Sequence, residues 1–129
     1  RWEITTLSPL YYSIVYLSKL IFGYTETGLR IPNIIFGVLT IPLVYSFTLK
    51  ISQSSLSSLL AAIIIAVDFD MIRYSLEIRV YSILVFFAIL HLYFLYSYLE
   101  SGCKRIYLVG LILSGPILLW LHYTIFLYL

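Results

Sequence analysis

Charged side chains are scarce in this chain. They make up 11% of its 129 residues, while 62% are hydrophobic and the mean hydropathy is +1.02. A soluble domain usually carries about 25% charge, so a soluble globular fold is excluded and an integral membrane protein remains. Cysteine is nearly absent as well. Cys103 stands alone, which excludes an internal disulfide and a cysteine-based metal cluster; beside Lys104 and Arg105 its thiol is at most a palmitoylation site. The net charge of +2 comes from scattered rather than clustered basic residues, which excludes a nucleic-acid-binding face. No phosphate-cradling glycine loop, zinc-ligand spacing or nucleophile elbow is present, and there is no internal repeat or low-complexity linker. A methionine start is missing too: the sequence opens on Arg1 and ends inside the apolar run 123–129, which gives the expectation of an internal piece of a longer protein.

What fills the chain is a series of apolar runs parted by short polar stretches. Residues 1–8, RWEITTLS, read as the end of an external loop. Pro9 suits the first turn of a helix, where its missing amide hydrogen costs nothing. The run from Pro9 to Phe22 is rich in tyrosine and carries Lys19. Fourteen helical residues reach about 21 Å, short of the roughly 30 Å hydrocarbon core, and tyrosine and lysine favour the headgroup level. The pattern predicts an amphipathic helix lying in the interface over 9–22. A polar loop over 23–30 follows. Spans are predicted over 31–49, opened by Pro32 and closed by Lys50; over 53–68, short and ending on Asp68; over 80–99; and over 106–121, with a kink at Gly115-Pro116. The expected fold is an all-α integral membrane bundle in one domain, with one interfacial helix and about four transmembrane helices.

The remaining charge is concentrated. Asp68, Asp70, Arg73, Glu77 and Arg79 fall within twelve residues, flanked by apolar runs. At mid-bilayer each would cost about 2.5 to 3.5 kcal/mol, so the stretch 68–81 lies at a membrane surface or lines a polar cavity. Counting crossings puts Arg30, this stretch and His122 on one side and Lys50, Lys104 and Arg105 on the other, whether or not residues 9–22 cross. Basic residues in short loops mark the cytoplasm. The first group therefore faces the external or lumenal side of a multi-pass protein of the cell membrane.

Several side chains on that face carry chemistry. Arg30 reads either as an interfacial arginine paired with Glu26 at i, i+4 or as a fixed cation for a lipid phosphate. Arg73, Glu77 and Tyr81 share one stripe if a single helix runs through them. Arg79 lies about 160° to 200° round from Glu77 and joins them only if a helix begins between the two. Glu77 is a general base, a holder of a sugar hydroxyl, or half of an ion pair with Arg73. Asp68 and Asp70 form a metal pair only where the backbone is not helical, so a divalent metal stays open and no other cofactor is implied. His122, at the end of an apolar helix, is a hydrogen-bonded interface residue or a ligand. The 13 tyrosines and 8 phenylalanines fit bilayer anchoring better than sugar stacking.

Taken in order, Ser-Pro-Leu-Tyr-Tyr (8–12), Phe-Gly-x-x-Glu-x-x-Leu-Arg-x-Pro (22–32), Val-Leu-Thr-Ile-Pro-Leu-Val-Tyr (38–45), Arg-Tyr-Ser-x-Glu-x-Arg-x-Tyr (73–81) and Leu-His-Tyr (121–123) resemble the N-terminal half of the GT-C membrane glycosyltransferases. The branch related to protein O-mannosyltransferases and to the aminoarabinose transferase of lipid A is the most similar. Its members read HPPLYY, FGxSExxLRxPS, YSQEARMY and THYF at these intervals. The resemblance covers nearly the whole chain; each motif alone is weak, but five in order are fairly specific. It implies transfer of a sugar from a polyprenyl-phosphate carrier to a glycan, lipid or protein acceptor on the external or lumenal face, by an inverting displacement. It carries family site residues onto Arg30, Glu77, Arg79 and His122 and makes the stretch of Pro9 and Tyr11 a juxtamembrane helix; with Arg73 and Tyr81 from the shared stripe, these are the expected substrate-binding residues.

The departures matter. The family's HPP is Leu7-Ser8-Pro9 here, and its SQE is Ser75-Leu76-Glu77. The acidic motif that carries the family's catalytic base would lie upstream of Arg1, and Glu3 does not replace it, so the expectation is that no catalytic acid lies within 1–129, Glu77 excepted. Two readings stand beside the transferase: a transporter or flippase for a lipid-linked substrate, in which the same charges line a path, and a non-catalytic scaffold of the same ancestry.

Overall fold

The structure is a computed structural model that describes residues 9–102 and 104–121. Residues 1–8, with Glu3, and Cys103 and His122 lie outside the described residues. Six helices and no strand occur among those described: α1 (Pro9–Phe22), α2 (Glu26–Ser52), α3 (Ser55–Val67), α4 (Phe69–Leu76), α5 (Tyr81–Glu100) and α6 (Arg105–Leu121).

The helix α1 has the limits the sequence predicts, with Pro9 as its first residue. It ends at Gly23, whose φ of +81° is a left-handed conformation that only glycine adopts freely. The expected loop over 23–30 is shorter than predicted. Thr25 caps α2 by accepting the amide hydrogen of Gly28 at 3.1 Å, so the helix starts at Glu26 and Arg30 lies inside it. Pro32 is consequently a proline in a helix interior rather than a helix opener. It can donate nothing to the carbonyl of Gly28 four residues earlier. The Ser18 hydroxyl of α1 donates to that carbonyl at 2.6 Å, which satisfies it and pins α1 to α2.

The turn after α2 is two residues long. Gln53 takes a left-handed conformation at φ +53° and returns its amide hydrogen to Leu49, and Ser54 caps α3. Alone, the 13 residues of α3 reach about 20 Å, too short for the span predicted over 53–68. Asp68 ends α3 in an extended conformation and caps α4 by accepting the Met71 amide hydrogen at 2.9 Å, as aspartate does well at this position. The two helices bend by 53° there.

Contacts fix the direction of each segment. Phe36 packs on Phe86 and Phe87, with ring centroids 5.1 and 5.8 Å apart, and Phe47 on Tyr93 and Tyr96 at 6.5 and 6.4 Å. Rising numbers on α2 meet rising numbers on α5, so these two helices run parallel. The pair α3–α4 returns the chain between them, from the end of α2 at Ser52 to the neighbourhood of Asn33. Helix α6 returns beside α5, where the ring of His91 hydrogen-bonds Ser114 at 2.8 Å. It stays helical through Gly115 and Pro116, so no break accompanies the expected kink. By length and composition, α2 and α5 are apolar enough to cross a membrane and the bent pair is a third candidate, while α6 is a shorter apolar helix. Two to three spans thus qualify by length and composition among the described residues, and the fourth predicted crossing, over 106–121, falls on α6, of which 17 residues are described.

The interior is built from small polar side chains. Ser18, Asn33, Thr40, Ser58, Ser82, Ser97 and Ser114 are buried, whereas many large aliphatic and aromatic residues are exposed. This inverted pattern suits helices in lipid, where apolar side chains face the bilayer and small ones let backbones approach. A small apolar cluster, Tyr11, Val80, Ile83 and Leu121, closes the end of the bundle at which α1 lies. At the opposite end, Lys50 lies 3.6 Å from Glu100 and about 5 Å above the Tyr93 and Tyr107 rings.

Candidate functional site

The charged stretch does not form one helix. Helix α4 stops at Leu76, residues 77–80 are a bent connection, and α5 starts at Tyr81, so the stripe expected through Arg73, Glu77 and Tyr81 is interrupted. The interruption brings in Arg79. Arg73 Nε lies 2.9 Å from Glu77 Oε1, and Arg79 Nε lies 3.6 Å from Glu77 Oε2. Glu77 still reaches Arg73 because it is the C-cap of α4, and its amide hydrogen bonds the Arg73 carbonyl at 3.0 Å. Tyr81 packs instead on Tyr74, with ring centroids 5.1 Å apart across the break.

Both carboxylate oxygens of Glu77 are thus turned to guanidinium groups. Asp70 acts on the Arg73 side as well, so the two guanidiniums and the two carboxylates balance in charge. Arg79 is the less tightly held of the two arginines, with the longer contact and a side chain that is 64% exposed. Arg30 is otherwise engaged. It forms an ion pair with Glu26, as the i, i+4 spacing predicts, while its Nε is buried without a partner.

Asn33 is the residue that the motif reading missed. It is 1% exposed, and its side-chain amide donates to the carbonyl of Glu77 and, at 2.9 Å, to that of Arg79. A third, longer contact of 3.3 Å runs to the Tyr11 hydroxyl. The carbonyls can only accept, which fixes the amide nitrogen on their side. From the far side of the break, the Ser82 hydroxyl donates to the main-chain carbonyl of Asn33 at 2.9 Å. The available signal was a lone amide inside the apolar run 31–49. Burial pushes the Tyr11 phenol up to about 12, and the hydrogen bond from Asn33 offsets this in part.

The other expected site residues are scattered. Pro9 heads α1 and is exposed, whereas Tyr11 is buried under the break. His122 lies outside the described residues; its neighbour Leu121 is buried in the cluster with Tyr11 and Val80. Asp68 commits an oxygen to its cap and Asp70 lies within α4. No group of three His, Cys, Asp or Glu side chains able to hold a metal occurs among the described residues. Next to Leu76, α2, α3 and α4 border an open apolar groove of about 230 Å³, lined by Ile34, Ile65, Met71 and Leu76 among others.

An uncharacterized protein of Aquifex aeolicus (strain VF5) is 32% identical over 107 residues, covering 83% of this chain and 21% of the relative. The chain thus spans about a fifth of the length of the curated relative it matches. No solved structure matches it. Residues 7–129, which include α1, the Asn33 contact and the whole charged break, match the dolichyl-phosphate-mannose-protein mannosyltransferase family, and the chain belongs to that family.

Proposed function

We propose that this chain is part of a membrane glycosyltransferase that takes a sugar from a polyprenyl-phosphate-linked donor, with the charged break between α4 and α5 as its donor-phosphate site. The observation that carries the reading is the trio Arg73–Glu77–Arg79, in which Arg79 is the more loosely held and the more exposed guanidinium. A guanidinium offers a phosphate two parallel donors, and as the sugar leaves it stabilises the negative charge that grows on the carrier. Glu77 holds the two arginines apart and oriented. Arg30, already paired with Glu26, serves the same end of the bundle as a second cation. The apolar groove beside α4 offers room for the start of an isoprenoid tail. The base that deprotonates the acceptor comes from elsewhere in the whole protein.

In this reading α2, the bent pair α3–α4, α5 and α6 make four crossings and α1 lies in the interface. Arg30 and residues 68–81 then face the external or lumenal side, and Lys50, Lys104 and Arg105 the cytoplasm. The break in α3–α4 also favours a second reading, since interrupted helices line the substrate paths of transporters. Membranes holding the intact protein, supplied with a polyprenyl-phosphate sugar, separate the two. Transfer that is abolished by Arg79→Glu, in a protein that still inserts, supports the transferase. Near-normal turnover in that variant removes Arg79 from the mechanism, and donor movement across the bilayer without sugar transfer replaces the reading with transport.

A further inference from the structure

The side chains of Glu77 and Arg79 are tied to each other, but their main chain is tied to α2. Between Leu76 and Tyr81 no helix runs, so the carbonyls of residues 77 and 79 have no intrahelical donor. At this part-buried junction such groups find their partner in water or within the protein, and here the partner is a buried side chain of α2. Asn33 alone supplies the donors to both, and it is the one buried residue with a side-chain N–H group among the described residues.

We propose that Asn33 is a positioning residue: its carboxamide, bridging the carbonyls of Glu77 and Arg79, fixes the α4–α5 break in the shape that sets the Arg79 guanidinium at the donor phosphate. The inference rests on the reading of Arg79 given above. Three features make Asn33 suited to the task. It stands in the interior of α2, a continuous helix capped at Thr25 and at Gln53, so its own place does not depend on the loop. Its main-chain carbonyl accepts from Ser82 in the first turn of α5, which fixes the break from its far side as well. One turn on, Gly37 lets α4 and α5 close in: a Cβ there would lie 3.1 Å from that of Ser75 and 3.3 Å from the Ser82 hydroxyl oxygen. A serine at position 33 would carry one proton on a shorter arm and could not bridge two carbonyls.

The test uses the intact protein in membranes, assayed for sugar transfer from a polyprenyl-phosphate donor. Asn33→Ala, Arg79→Gln and the double variant are compared by kcat/KM and by thermal stability. Arg79→Gln is expected to reduce kcat/KM about tenfold or more, Asn33→Ala to do the same, and the double variant to be no worse than Arg79→Gln within about twofold, because groups acting through one another are not additive. Losses that multiply in the double variant mean that Asn33 merely supports the fold, and they overturn the proposal while the Arg79 reading stands. If Arg79→Gln transfers normally, the Arg79 reading fails and the proposal fails with it. Should Asn33→Ala not accumulate, Asn33→Ser, which keeps one donor, is expected to give a smaller loss with the same non-additivity; multiplied losses there overturn the proposal equally.

Discussion

Ser18 donates its hydroxyl hydrogen to the carbonyl of Gly28 at 2.6 Å, the acceptor that Pro32 leaves idle one turn further along α2. Sequence positions ten residues apart are thereby locked into the angle between α1 and α2. Ser18→Ala leaves that carbonyl buried and unsatisfied, and is expected to cost about 1 to 3 kcal/mol. Pro32→Ala in the same background restores an intrahelical amide hydrogen and should recover part of the loss. Melting temperatures in detergent decide it: unchanged melting of Ser18→Ala would show the contact to be worthless.

Three glycines separate by what their missing side chains admit. A Cβ at Gly37 would fall 2.1 Å from the Ser75 hydroxyl oxygen, and one at Gly110 2.7 Å from the Phe94 ring, whereas one at Gly115 meets nothing nearer than 3.6 Å. Gly37→Ala and Gly110→Ala should each destabilise the bundle by about 1 to 3 kcal/mol. Gly115→Ala should be neutral or stabilising by up to about 1 kcal/mol through helix propensity. Equal effects of all three in thermal unfolding would contradict the packing described.

Lys50 ties the far ends of α2, α5 and α6 through Glu100 and the Tyr93 and Tyr107 rings. Exposure weakens the ion pair, so Lys50→Met is expected to cost about 1 kcal/mol. Because the proposed donor site lies at the opposite end of the bundle, the KM for the donor should stay unchanged. A donor KM raised severalfold would mean that the two ends are coupled.

Tyr11 gives a pH dependence of definite sign. Its phenol is pushed up to about 12 by burial, above the ordinary value near 10, so the folded protein keeps a proton that the unfolded chain loses. The stability this brings is complete below about pH 10 and is lost as pH rises through about 12, amounting to roughly 2 kcal/mol. Between those limits the wild-type melting temperature should fall more steeply than that of Tyr11→Phe. Parallel curves would show the phenol to be solvated.

Glu77 holds Arg73 at 2.9 Å and Arg79 at 3.6 Å. Glu77→Gln removes the charge that keeps the two guanidiniums in register. Donor kcat/KM is expected to fall about tenfold with little change in melting, since the cap bond from the residue 77 amide hydrogen to Arg73 survives. A loss confined to stability would make Glu77 a structural residue only.

Much of the bundle was legible in the residues. Helix α1 has its predicted limits, and α5 and α6 depart by one residue from the predicted 80–99 and 106–121, because apolar length and flanking polar residues are local signals. The start of α2 was misread: Pro32 suggested an opening, and the Thr25 cap five residues before Arg30 outweighed it. Sequence spacing makes a break after Leu76 a condition for Arg79 to reach Glu77 but does not place it. Its position depends on a hydrogen bond from Asn33, 44 and 46 residues away in sequence from the two carbonyls it holds, and no periodicity encodes that.

The sequence by itself determined that this is a helical membrane chain, where α1, α5 and α6 lie and which charges gather near residues 68–81, because hydropathy and charge act locally against the bilayer. Only the tertiary structure decided that Arg79 joins Arg73 around Glu77 and that Asn33 anchors them. Those contacts exist because α2 and the break meet in space, where carbonyls without helical donors reach the buried Asn33 amide.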